Sequence, residues 1–182
     1  MPPTMEVQKG TFKEFNDKEY NSRGLKVAQL VAQQKGLNEA TKDSFKRYAR
    51  VMVDTDIGNY GDYETLDFNI SALKKTDIAE LEIDFKSQIE QSTIESAGLG
   101  FGQMKLVEWH PLKLESINGM SCIHVSYTRQ LNFNPLVIVH QYDFQNNDRL
   151  HRLTLSFRSS ESDYWQADFA DILKSFRITT SR

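Results

Sequence analysis

The stretch Lys113-Leu114-Glu115-Ser116-Ile117-Asn118-Gly119-Met120-Ser121-Cys122-Ile123-His124-Val125-Ser126-Tyr127 decides the fold. Asn118-Gly119 is the strongest short-range hairpin signal a sequence offers, because both residues tolerate the positive φ of a two-residue turn. Beyond it, Ile123, Val125 and Tyr127 alternate with Cys122, His124, Ser126 and Thr128, so one strand face is apolar and the other mostly polar. Before it, Lys113–Ile117 reads as the partner strand. Met104–Trp109 reads as a further strand that ends ahead of Pro111. Downstream, Leu136–Phe144 opens apolar on both faces, as a central strand does. Gln145–Asp148 is a polar turn, and Arg149–Arg158 returns with His151, Leu153, Leu155 and Phe157 on one side. Short turns between successive strands require antiparallel pairing.

Upstream, the spacing predicts a strand over Lys46–Ile57, ended by the turn residues Gly58-Asn59-Tyr60-Gly61-Asp62. Leu25–Gln33, bounded by Gly24 and Gly36, reads as another strand. Thr11–Tyr20 is polar and fits no period, and 1–24 is expected to be irregular. A helix is capped by Thr76 or Asp77, with Ile78, Leu81, Phe85 and Ile89 in one stripe. Ser96–Gly102, with three glycines, ends it. A second helix starts near Ser162 and carries Trp165, Phe169, Ile172, Leu173 and Phe176 on one face. That wide aromatic stripe needs a sheet to cover. A short strand over Phe176–Thr179 closes the chain. The expectation is one α+β domain over 1–182, an antiparallel sheet with helices packed on it.

Composition narrows the function classes. The 182 residues carry 22 basic and 25 acidic side chains, a net charge of -3, which supplies no broad cationic field for nucleic acid. One cysteine, Cys122, excludes an intramolecular disulfide and a Cys-rich zinc module. The longest strong apolar run, Leu136-Val137-Ile138-Val139, is far short of a membrane span, so no transmembrane segment is expected. Met1-Pro2-Pro3-Thr4-Met5 shows no export signal. It fits a cytoplasmic protein, and equally an exported one whose signal has been replaced by a start methionine.

The order of these pieces resembles the PsbP family, that of the extrinsic P subunit of photosystem II, whose fold is shared with a Ran-binding nuclear import factor and several bacterial lipoproteins. Three features carry the resemblance. Ile117-Asn118-Gly119-Met120 runs into a strand with Val125 and Tyr127. A meander follows through Val139, His140 and Tyr142 to Leu153-Thr154-Leu155-Ser156. Trp165, Phe169 and Ile172-Leu173 then lead to Ser175-Phe176-Arg177-Ile178, like the closing helix with its Ser-Phe pair. It covers Leu73 to Ile178 and is structural in kind. Thr11 to Lys26 lacks the family's aromatic, Pro-containing strand, so the resemblance does not extend to the first strands. It implies an antiparallel sheet in an α/β/α sandwich and a non-enzymatic, binding or assembly role. No functional motif of a relative maps onto residues here.

Two constellations point to chemistry. Val51-Met52-Val53-Asp54-Thr55-Asp56-Ile57-Gly58 ends an apolar strand in two carboxylates on one side, poised for a divalent cation. The string is similar to the Asp-Thr-Asp-x-Gly opening of nucleoside hydrolases and to the Asp-x-Asp of aspartyl-nucleophile phosphatases. It departs from the former where Asp62 is followed by Tyr63, and its strand comes 50 residues into a short chain. A calcium loop would need glycine where Asn59 stands. A strand end with Asp54 and Asp56 solvated is the simpler account. The second constellation is Cys122, His124, His140 and His151. Symmetric hairpins would set His124 opposite His140 and Tyr142 opposite His151, with all four ligand-type residues on one face. A one-residue slip would separate them, and ordinary packing with individual hydrogen bonds explains each alone.

The remaining candidates are weaker. Cys122, between Ser121 and Ile123, reads as an inert core thiol. Gly98-Leu99-Gly100-Phe101-Gly102 follows a helix rather than opening one, the wrong context for phosphate. Lys42, Lys46, Arg47 and Arg50, beside Phe45 and Tyr48, form a small basic cluster best read as a solvated face. No catalytic, cofactor-binding or metal-binding residue is therefore assigned, and no cofactor is expected. The favoured function is a non-catalytic binding or assembly module for a protein or small ligand, not nucleic acid. The alternative is a metal-dependent hydrolase using Asp54 and Asp56, with Asp62 as the third carboxylate to watch.

Overall fold

A computed structural model describes residues 1–10, 13–14, 17–18, 30–63, 65, 75–98 and 102–179. The strands are β1 (Met5–Val7), β2 (Leu30–Gln34), β3 (Ala49–Ile57), β4 (Met104–Ile117), β5 (Met120–Leu131), β6 (Val137–Asn146) and β7 (Arg149–Arg158). They form one sheet in the order β1-β2-β3-β7-β6-β5-β4, antiparallel at every described pairing. Helix α1 (Lys75–Gly98) lies in sequence between β3 and β4, and α2 (Ser162–Ser175) follows β7.

The Asn118-Gly119 turn forms as its composition demands. Asn118 takes φ 54° and Gly119 φ 81°, and Ile117 pairs with Met120 across it. Around β5 the alternation of side chains then divides the core in two. Cys122 joins Tyr142, Leu153, Leu155 and Phe157 beneath Trp165 and Phe169 of α2. Burying such an aromatic side chain contributes about 2–3 kcal/mol. Ile123 and Val125 pack instead with Leu112 of β4 and with Ile78, Leu81, Phe85 and Ile89 of α1. Both helical stripes thus do what their spacing predicts.

Several expectations need correction. Met104–Trp109 and Lys113–Ile117 are one strand, β4, with register shifts between Leu106 and Glu108 and between His110 and Lys113. Pro111 sits at the second irregularity of this edge strand, where its missing N–H costs no ladder bond. Phe176–Thr179 is not a strand. Asn118 Nδ2 donates to the carbonyls of Leu173 (2.8 Å) and Phe176 (3.0 Å) instead, and Phe176 packs on Phe144. Within 1–24, Met5–Val7 pairs with β2 as an edge strand rather than staying irregular, and residues 13, 14, 17 and 18 are helical. Thr76 and Asp77 lie inside the first turn of α1 rather than capping it. Of Leu25–Gln33, residues 25–29 fall outside the described set and Leu30–Gln33 are in β2. Among the described residues no helix is long and apolar enough to cross a membrane.

Candidate functional site

Both hairpins pair two residues away from the symmetric expectation. His124 faces Tyr142, Ser126 faces His140, and Phe144 faces His151. A two-residue offset preserves the face, so Cys122, His124, His140 and His151 still share one side of the sheet. They do not share a site. His151 bonds Thr55 (Nδ1···Oγ1 2.9 Å) at the β7 end. Burial pushes the Cys122 thiol up to about 12, so it stays a protonated core residue. His124 and His140 do meet, with Nε2···Nδ1 at 3.0 Å, and Glu115 Oε1 lies 3.2 Å from His124 Nδ1.

That chain fixes the tautomers. The Glu115 carboxylate only accepts, so His124 donates from Nδ1 and receives at Nε2 from His140 Nδ1–H. Tyr142 stacks on His124 at 4.3 Å. Burial, followed by the neighbouring His124, lowers His140 to about 4, and burial lowers His124 as well. The pair is a neutral, hydrogen-bonded strut. Its two facing nitrogens are spent on each other, so they cannot both ligate one ion.

Asp54 and Asp56 share a face of β3, as predicted, but stand beside a cation. Asp54 pairs across the ladder with Arg152, which burial would lower but which Asp143 first, then Asp56 and Asp54, hold above its ordinary value. Asp62 is committed to its own turn, accepting from Asn59 N at 2.6 Å. Among the described residues no three His, Cys, Asp or Glu side chains come together as a metal site. The buried ion pair of the sheet was not singled out from the sequence. Asp143, 2% exposed, takes Arg152 bidentately (Nε–Oδ1 3.0 Å, Nη2–Oδ2 3.2 Å) and receives Gln141 Nε2.

The feature that sequence reasoning missed lies at the other end of the sheet. The buried side chain of Gln34 ties down the loop ahead of β3, donating to the carbonyls of Ser44 (3.0 Å) and Arg47 (2.7 Å). Glu161 fixes the next residue, accepting from Tyr48 N and Trp165 Nε1, both at 3.0 Å. Tyr48, just ahead of β3, and Arg50 within it therefore project from one face, next to Ser156 and Arg158 of β7. Across the ladder Arg158 pairs with Val137, and Val137 with Arg129. One rung thus carries two guanidiniums on either side of a valine.

Two clefts open here. One, of about 300 Å³, is lined by Tyr48, Arg129, Leu131, Pro135, Val137 and Arg158. The other, about 220 Å³, shares Tyr48 and Arg158 and adds Arg47, Arg50 and Phe45. Phe45, in the wall of the second, stands exposed. Burial alone would raise the Tyr48 phenol, yet Arg50, Arg129 and the Ser156 hydroxyl at 3.4 Å bring it below its ordinary value. A larger hollow of about 540 Å³ on the far side of Arg47 and Glu161 has mixed charge, with Lys46 already paired to Asp43 at 2.6 Å.

The basic cluster read as a solvated face is thus split. Lys42, Lys46 and Arg47 are exposed, while Tyr48 and Arg50 are half-buried in the cleft walls. The available signal was the period-two spacing of Tyr48 and Arg50. Arg129 and Arg158 join them only through the register.

No family model and no curated protein matches this chain. Among solved structures it is similar to a PsbP. That structure is the solution structure of cyanobacterial PsbP (CyanoP) from Synechocystis sp. PCC 6803, with TM-score 0.49 and 13% identity over 98% of this chain and 84% of the other. PA94, a Pseudomonas aeruginosa protein of unknown function, is similar at TM-score 0.40 and 9% identity, over 100% of this chain and 87% of that one.

Proposed function

We propose that this chain is a non-catalytic binding module whose ligand seats in the paired clefts around Tyr48. The observation that carries the reading is the convergence of β3, β5, β6 and β7 on that one spot, walled by Tyr48, Arg129 and Arg158 around an apolar Val137. A concave site with an apolar floor and a few fixed polar groups is what recognition of a small ligand needs. Guanidiniums keep their charge and release no proton near neutral pH, so this wall suits holding rather than acid–base work. The same reading takes 1–182 as one domain, an α/β/α sandwich with α2 on the Cys122 face and α1 on the Ile123 face. The two separate core clusters support that layering.

The test is an amide chemical-shift screen with a mixed set of aryl acids, aryl amines and aryl alcohols. Hits that perturb Tyr48, Arg129, Asn134 and Val137 are expected. If every hit maps elsewhere, or none binds, the reading is wrong.

A further inference from the structure

The charge of these clefts is as informative as their shape. Four guanidiniums, those of Arg47, Arg50, Arg129 and Arg158, line them; no described lining residue is acidic, and Glu161 reaches them through Arg158. Arg158 is satisfied by Glu161 Oε1 (3.2 Å) and the Lys46 carbonyl (2.6 Å). Arg47 lies over the Tyr164 ring at 3.6 Å. Arg129 has the Tyr48 phenol and a thioether for neighbours, with Nη1 2.8 Å from Met104 Sδ, a weak acceptor that brings no charge. Among the described residues neither Arg50 nor Arg129 makes an ion pair with a carboxylate. Guanidiniums in low-dielectric walls favour an anion between them, and their planar forks match the two oxygens of a carboxylate or phosphate.

We propose that the clefts bind a small organic oxyanion, a carboxylate or phosphate monoester on an apolar body. Its charged group sits between Arg50 and Arg129 beside the Tyr48 hydroxyl, and its body lies over Val137, Leu131 and Pro135. The lowered phenol of Tyr48 agrees, since a field that favours a phenolate favours any anion placed there. The proposal deepens the binding-module reading and rests on it.

The test compares phenyl phosphate, benzoate, inorganic phosphate, benzyl alcohol and benzylamine by amide shift titration of the whole chain. Phenyl phosphate or benzoate should perturb Tyr48, Asn134 and Val137, and the tighter of the two names the anionic group. Arg50→Gln and Arg129→Gln should each weaken that binding about tenfold, the worth of one charged hydrogen bond. Arg129→Lys should restore part of it, and Lys42→Gln on the exposed side should change nothing. A retained spectrum in Arg50→Gln keeps the test open should Arg129→Gln fail to fold.

If benzyl alcohol binds as well as the acids, or both glutamine variants bind normally, the anion assignment falls while the cleft reading stands. Inorganic phosphate binding as tightly as phenyl phosphate would remove the apolar body from the assignment. If no compound of any charge touches the clefts, both readings fall together.

Discussion

His140 is a residue whose environment changes its chemistry within the ordinary working range of pH. Its folded value of about 4 lies below the ordinary 6.5, so the unfolded chain takes up the proton more readily between those limits. The stability it contributes is therefore complete above about pH 6.5 and lost as pH falls towards 4. The loss has an upper bound on the order of 3 kcal/mol for this shift. His124 shifts in the same direction. Urea unfolding from pH 7.5 to 4 should show the decline, and His140→Gln should flatten it. A variant that loses stability with acid as steeply as wild type would rule the histidine out as the cause. Asp143 makes the opposite kind of contribution. Asp143→Asn keeps its shape but leaves Arg152 half-buried without its bidentate partner, at a cost of about 3–5 kcal/mol. The nearby Asp54 and Asp56 hold the expected cost to the lower end of that range. A urea midpoint within error of wild type would contradict it. The sequence placed His124 and His140 on one face, and they do meet, but Glu115 on His124 was not legible. Asp143 is an ordinary member of an alternating strand until the register shows Arg152 opposite.

Elements were far more legible, because each rests on local chemistry. The Asn118-Gly119 turn, the α1 stripe from Ile78 to Ile89 and the α2 stripe from Trp165 to Leu173 all follow from period and turn type. What local chemistry could not give was register. Pro135 cannot join a ladder, so β5–β6 pairing starts at Arg129 and Val137, centred one residue beyond the symmetric guess. Asn147, at φ 61°, allows a tighter β6–β7 turn than the four-residue one expected. The Asn118 turn also holds the end of α2. Asn118→Ala should cost about 2 kcal/mol, combining the strained positive φ with two lost carbonyl partners. Gly119→Ala, with open space around its Cβ position, meets only the backbone strain of φ 81° and should cost about 1 kcal/mol. A reversal of that order in thermal melts would show that the clamp on α2 contributes nothing. In α1 the packed stripe ends at Ile89, and Ile94 is 65% exposed. Amide exchange should accordingly be faster over Ser92–Gly98 than over Ile78–Ile89.

At the scale of the whole molecule, the net charge of -3 conceals how charge is distributed. Composition argues against a broad cationic field, but it cannot register four arginines gathered at one end of a sheet. Arg47 and Arg50 come from the β3 side, Arg129 from the end of β5 and Arg158 from the end of β7. They lie far apart in sequence, and only the ladder β3-β7-β6-β5 brings them together. This arrangement has a measurable consequence. A ligand drawn into the clefts by charge works against the acidic remainder of the molecule and is screened by salt across a Debye length of about 10 Å at 0.1 M. A ligand held by the apolar floor alone is indifferent to moderate salt. Raising sodium chloride from 50 to 300 mM should therefore weaken phenyl phosphate binding several-fold and leave any binding of benzyl alcohol unchanged. Screening acts less on partly buried charges, so Arg129→Gln should lower affinity more than it lowers the salt slope. Removing the more outward Arg47, by Arg47→Gln, should do the reverse. Salt-independent phenyl phosphate binding would mean that the arginines shape these walls without supplying the attraction.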